Sequence, residues 1–119
     1  MSRLVPIAID LLAVLIFAVA GRASHGLDPL GVLSTAWPFL LACLVAWVAL
    51  WALGDDGYGL RAGLVVWLVT LLGGMALRLG TGDTAAPAFF VVATLFLAGT
   101  LGGWRLIAHL RRRRATRAA

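Results

Sequence analysis

The sequence predicts an all-α fold, a bundle of four transmembrane helices, and three observations carry that prediction. Four apolar runs follow one another along the chain, each about twenty residues long, the length needed to cross a hydrocarbon layer of roughly 30 Å. Away from their ends these runs hold almost no charge, Asp10 and Arg105 being the notable ones. Short connectors bearing Gly, Pro and Asp separate them. Composition agrees: 62% of residues are hydrophobic and 13% charged, with a mean hydropathy of +1.00. Every basic residue is Arg, every acid is Asp, and Lys, Glu, Asn and Gln are absent. Too little polar material remains to coat a soluble domain of this length, so a soluble protein is excluded. The reading is one domain over residues 1–110, followed by a basic tail over 111–119.

The first helix is expected over about 4–23. Arg3, an apolar core and Ala18-Val19-Ala20 also resemble a signal peptide, but Pro6 and the mid-run Asp10 argue for a retained anchor. The second is expected over about 33–53, with Ser34 and Thr35 as caps and Pro38 in the first turn, where its missing N–H is not needed. Trp47 and Trp51, one turn apart, form a stripe that suits lipid contact, whereas Ala42, Ala46 and Ala49 lie on another face that lets a neighbouring backbone approach. Cys43 is single, so it defines no disulfide framework and reads as a small buried hydrophobe.

The connector Gly54-Asp55-Asp56-Gly57-Tyr58-Gly59 reads as a tight solvated turn, because adjacent Asp residues fall well short of the oxygen cage that a hard cation needs. A third helix is expected over about 60–79, with Arg61 and Arg78 near its ends, where long side chains reach the interface. The fourth is expected over about 86–110. Gly99 and Gly103 stand there in G-x-x-x-G spacing with Gly102 beside them, a pattern that favours close helix contact. Gly74 is assigned the same packing role in the third helix. Thr35-Ala36-Trp37-Pro38-Phe39 echoes Thr84-Ala85-Ala86-Pro87-Ala88, the mark of two parallel helical-hairpin repeats.

Four spans place both termini on one side. Arg3, Arg61, Arg111, Arg112, Arg113, Arg114 and Arg117 flank that side, whereas only Arg22 and Arg78 flank the other. The positive-inside rule then puts both termini in the cytoplasm, in a bacterial inner membrane, with the basic tail against anionic lipid headgroups and no nucleic-acid partner.

Asp10 is the costliest residue, at about 2.5 to 3.5 kcal/mol for a charge at the helix centre on insertion scales. Helix four runs antiparallel to helix one, and Asp10 and Arg105 both lie roughly 8 to 9 Å inside the same end, so they are expected to pair. Thr94, Ala98, Gly102 and Arg105 are expected to share the narrow face that meets Asp10. At the opposite end Arg22, Ser24, His25 and Arg78 concentrate guanidinium, hydroxyl and imidazole donors, a candidate anion-binding cluster. His25 and His109 fall at opposite faces, so neither a bis-His haem nor a metal centre is expected, and no cofactor is. Hydrolase, metalloprotease and P-loop signatures are missing, so no enzyme is expected.

Asp10, the run Gly21-Arg22-x-Ser24-His25-Gly26, Pro38-Phe39, Gly74-x-x-x-Arg78 and Gly103-Trp104-Arg105 together resemble an uncharacterised family of small four-helix bacterial membrane proteins, mainly actinobacterial, a domain of unknown function. The resemblance covers nearly the whole chain and implies fold and location, but no activity. Asp10 also resembles the helix-one carboxylate of small multidrug transporters, where the residue is normally Glu. Gly73-Gly74 before Arg78 resembles the glycine pair of small fluoride channels, whose antiparallel dimers the Arg bias forbids.

Two functional classes follow. One is a structural or accessory membrane subunit, in a homo-oligomer or a larger complex. The other is a unit that binds or transports a small solute, an ion or an anionic lipid, through Asp10 and Arg105 or through the Arg22, His25 and Arg78 cluster. Helix one is wholly apolar between Asp10 and Arg22, with no polar track across the bilayer, which favours the first class.

Overall fold

The computed structural model describes residues 3–22, 28–82 and 87–118, with the side chains of residues 117 and 118 left aside. Among the described residues every regular element is a helix: α1 (Leu4–Arg22), α2 (Pro29–Ala52), α3 (Leu60–Gly80), α4 (Pro87–Leu97), a π turn (Ala98–Gly102) and α5 (Gly103–Ala118). The last three run on as one rod, so four helices are long and apolar enough to cross a membrane. α2 packs against both α1 and α3, and the α4–α5 rod closes the square against α1 and α3. α5 projects past the other helices and gives the molecule extents of 52 × 29 × 24 Å.

Each helix turns inward a face of small, aliphatic and aromatic residues at helical spacing. The buried residues of α1 are Pro6, Asp10, Ala13, Val14, Phe17 and Ala18, the stripe of a 3.6-residue period. Phe17 meets Phe39 edge-on at 5.2 Å and lies 5.7 and 5.9 Å from Phe89 and Phe96. Across the diagonal, Phe39 and Phe89 come within 6.0 Å, so rings fill the middle of the bundle. Gly74 leaves the space that Phe39 occupies: a Cβ there would overlap the ring. Ala42 approaches the position of a Cβ on Gly73 to 3.0 Å, which brings α2 and α3 together. The outward faces stay apolar, with Val48, Trp51 and Leu95 all at least 65% exposed. A helix apolar on every side suits lipid, not water.

α2 starts earlier than expected. Asp28 is its N-cap, with the carboxylate accepting from the Gly31 amide at 2.8 Å, and Pro29 opens the first turn. That Asp-Pro pair supplies both the cap and the preset φ, so Ser34 and Thr35 are interior residues. Thr35 Oγ1 donates back to the Gly31 carbonyl. Pro38 is likewise inside α2, whereas Pro87 opens α4, so the prolines of the sequence echo hold different places. α2 ends in a Schellman turn: Gly54, at φ 70°, donates to Trp51 O and Asp55 N donates to Leu50 O, the 5→2 and 6→1 bonds of that motif.

The fourth span also departs from expectation. Its buried residues are Ala93, Leu97, Leu101 and Arg105, each four after the last, in place of the Thr94, Ala98, Gly102 and Arg105 face. Four α-helical residues turn about 40° past a full circle, so three such steps would carry Arg105 roughly 120° off the core face. The π turn slows that rotation through its wider i→i+5 bonding. The basic segment after Leu110 continues α5 as far as Ala118.

Candidate functional site

Asp10 and Arg105 meet at the end of the bundle that carries the 54–59 connector. Arg105 Nη2 lies 2.7 Å from Asp10 Oδ2, Nη1 lies 2.9 Å from Oδ1, and both side chains are 0% exposed. Two parallel bonds of this kind give the planar guanidinium and carboxylate one mutual orientation. Trp104 Nε1 adds a bond of 2.9 Å to Oδ1, and Trp47 Nε1 one of 3.0 Å to Oδ2. Asp10 therefore accepts from two helices besides its own: α2 through Trp47 and the fourth span through Trp104 and Arg105.

Arg105 is held as fully. Its Nη1 also donates to the Leu101 carbonyl at 3.0 Å, and its Nε donates to the Gly57 carbonyl at 2.9 Å. The connector is folded down to offer that carbonyl. Gly57 takes φ 88°, and a side chain there would collide with the Trp47 ring. Asp55 fixes the turn by accepting from the Gly57 amide at 2.9 Å while Arg61 holds its other oxygen at 3.0 Å. Asp56 accepts from the Tyr58 amide. Gly63 on α3 makes room for the arginine stem, since a Cβ there would stand 2.9 Å from Arg105 Cδ.

The opposite end is arranged differently. Arg22 Nη2 reaches Asp28 Oδ1 at 3.1 Å, with the two side chains 27% and 60% exposed. Chiefly the Gly31 amide, with the Arg22 guanidinium adding to it, holds the Asp28 carboxyl below its ordinary value. Arg78 stacks on the Phe89 ring at 4.5 Å from its centroid. Ser24 and His25 lie outside the described residues, so of the candidate anion-binding cluster only Arg22 and Arg78 are placed, the first on a carboxylate and the second on a ring.

The glycines divide. Gly74 lies in the core as described, but a Cβ added to Gly99, Gly102 or Gly103 would meet nothing within 4 Å. No close helix approach within the subunit therefore depends on these three lacking a side chain, among the described residues. The fourth span is seated by Ala93, Leu97 and Leu101, and the glycine that permits its close approach is Gly63. Gly102 instead borders a surface groove of about 210 Å³ with Leu60, Gly63, Leu64, Trp67 and Ala98. His109 lies further along the same rod, beside Gly59 and Arg112.

Four residues of the site were not anticipated: Trp47, Trp104, Gly57 and Gly63. A signal existed for the first two, because a buried indole N–H must find an acceptor. Trp47 shares its helix face with Cys43 and Leu50, all three buried, and not with Trp51, which is 69% exposed.

These features define a multi-pass membrane bundle closed at one end on a fully buried carboxylate–guanidinium pair whose carboxylate accepts four hydrogen bonds. The model of the family described as a protein of unknown function, DUF3054, matches residues 7–108, and the chain belongs to that family. The matched range holds Asp10, Trp47, the 54–59 connector and Arg105. No curated protein and no solved structure matches the chain.

Proposed function

We propose that the protein is a non-enzymatic structural or accessory subunit of a membrane assembly, in which the Asp10–Arg105 pair fixes helix register instead of moving a proton or a solute. One observation carries this reading. A carboxylate offers about four lone-pair sites, and four donors, two from Arg105 and one each from Trp47 and Trp104, occupy them at 2.7 to 3.0 Å. A carboxylate that carries protons needs an open lone pair and a path to it, and Asp10 is 0% exposed.

The test uses the indoles of Trp47 and Trp104 as reporters, in protein whose other three tryptophans, Trp37, Trp51 and Trp67, are replaced by Phe. In protein reconstituted into vesicles, Trp fluorescence should stay flat from about pH 5 to 9, and an imposed pH gradient should drive no proton flux above empty vesicles. A titration that disappears in Asp10→Asn, or a flux that does, overturns the reading. Its accessory half is tested by photo-crosslinking from Trp51 and Leu95 in the native membrane. A discrete adduct with a second polypeptide is expected, and adducts at multiples of the protein's own mass alone would make it a homo-oligomeric unit.

The distribution of Arg supports an orientation with both termini in the cytoplasm, because Arg3, Arg61 and the Arg111–Arg114 run share one end with the clamp. Reporter fusions at Tyr58 and Ala119 should read inside and those at Asp28 and Asp83 outside. An outside reading at Ala119 overturns it.

A further inference from the structure

The Arg run on α5 is not a uniform basic surface. At about 100° per residue, Arg112 falls within roughly 20° of Arg105 and faces back to the bundle. It donates to the Tyr58 carbonyl at 3.2 Å, with its guanidinium 5.9 Å from the Tyr58 ring. Arg111, Arg113 and Arg114 fall instead with Leu106, Ile107 and Leu110, inside an arc of about 160°. Those three apolar side chains are 47%, 60% and 47% exposed. Ile107, Leu110, Arg111, Arg113 and Arg114 line a shallow groove of about 370 Å³. Its floor is apolar and continues the lipid-facing surface, and its upper wall is cationic.

No carboxylate neutralises that wall among the described residues. Asp10 is bound to Arg105, Asp28 to Arg22 and Asp55 to Arg61, while Asp56 accepts from the Tyr58 amide. Cations spaced one turn beyond an exposed apolar strip match one kind of molecule, in which a phosphate sits directly above a hydrocarbon chain. A polyanion such as nucleic acid would match the charge but leave the apolar floor unused.

We propose that this groove seats an anionic phospholipid of the leaflet at the Arg-rich end, with the phosphate on Arg111, Arg113 and Arg114 and an acyl chain along Leu106, Ile107 and Leu110. The proposal is independent of the clamp, which lies on the opposite face of the same rod.

The test is native mass spectrometry of the detergent-solubilised full chain, titrated separately with phosphatidylglycerol, phosphatidylcholine, inorganic phosphate and a short single-stranded DNA. Wild type should retain phosphatidylglycerol well above phosphatidylcholine, lose that preference at high salt, and keep its lipid against an equal concentration of phosphate. Each basic residue near an anionic headgroup is worth roughly fivefold in affinity, so the triple change Arg111→Gln, Arg113→Gln and Arg114→Gln should lower retention on the order of a hundredfold. Arg112→Gln should keep the preference, because Arg112 faces Tyr58. The proposal is overturned if the triple variant keeps the wild-type preference, or if Arg112→Gln loses as much. It is also overturned if phosphate displaces the lipid, which would make this a free-anion site, or if the triple change abolishes DNA binding while leaving phosphatidylglycerol untouched. Helix content by circular dichroism controls for folding, and the salt dependence of wild type tests the seat without any variant.

Discussion

An Asp–Arg pair stands at each end of this bundle, and the two do opposite jobs. Asp28 and Arg22 meet at 3.1 Å with 60% and 27% of their side chains exposed, and the main partner of the carboxylate is the backbone amide it caps. Water already solvates both charges there, so their attraction adds little. Asp10 and Arg105 meet at 2.7 Å with no exposure. Two charges removed from water cost several kcal/mol each, and that cost is met only because every carboxylate lone pair and four of the arginine N–H bonds are taken. The same residue types thus make an ordinary helix cap in one place and, in the other, the point on which three helices and a connector converge.

The largest expected effect breaks the buried pair. Asp10→Ala or Arg105→Ala should each cost about 3 to 5 kcal/mol in a detergent melt by stranding the surviving charge. The exchange Asp10→Arg with Arg105→Asp should recover part of that loss, and strictly additive effects in the double-mutant cycle would show that the two charges do not interact. Next come the residues that supply the pair with its other partners. Trp104→Phe and Trp47→Phe each delete one donor to a carboxylate and should cost roughly 1.5 to 3 kcal/mol. Gly57→Ala forces a side chain into a left-handed backbone and against the Trp47 ring, for roughly 1 to 3 kcal/mol from the backbone alone. If any of these is neutral, the buried end tolerates an open lone pair and the contrast with the exposed end weakens.

At the exposed end the effects should be small and dependent on pH. The Asp28 carboxyl is held below its ordinary value of 3.8 in the folded protein, so its contribution is fully present above that value and is lost as the pH falls through the lower folded one. Asp28→Ala should therefore lower the melting temperature slightly at neutral pH and leave it unchanged in strong acid. An equal loss at both pH values would assign the effect to something other than the charged cap.

The two ends were unequally legible in the sequence. Spans could be read from hydropathy, and the meeting of Asp10 with Arg105 from matched depth alone, since an antiparallel pair of helices leaves little freedom in that coordinate. Direction around the helix was harder. Trp47 and Trp51 look like one stripe on paper because they are four apart, yet one is buried and the other faces outward, and only the neighbours of Trp47 decide which. The π turn was invisible for a related reason: a change of bonding over Ala98–Gly102 leaves composition and spacing untouched while it rotates everything downstream. The span is seated on Ala93, Leu97 and Leu101, and a Cβ on Gly99, Gly102 or Gly103 would meet nothing within 4 Å. At the other end, Asp28-Pro29 outranked Ser34, Thr35 and Pro38 as a helix start, because a carboxylate cap followed by a preset φ satisfies the first turn completely.

The separation of Asp10 and Arg105 by 95 residues sets an order of events at the ribosome. At about 5 to 20 residues per second, α1 is complete roughly 5 to 20 s before its counter-charge is synthesised. During that interval α1, α2 and α3 exist without the fourth span, Trp47 alone can serve the carboxylate, and the chain holds an uncompensated acid at a depth that disfavours release into lipid. That cost favours retention of α1 beside the insertion machinery until Arg105 emerges. Nascent chains truncated after α3 should therefore stay crosslinked to that machinery from α1, and those extended past Arg105 should let go.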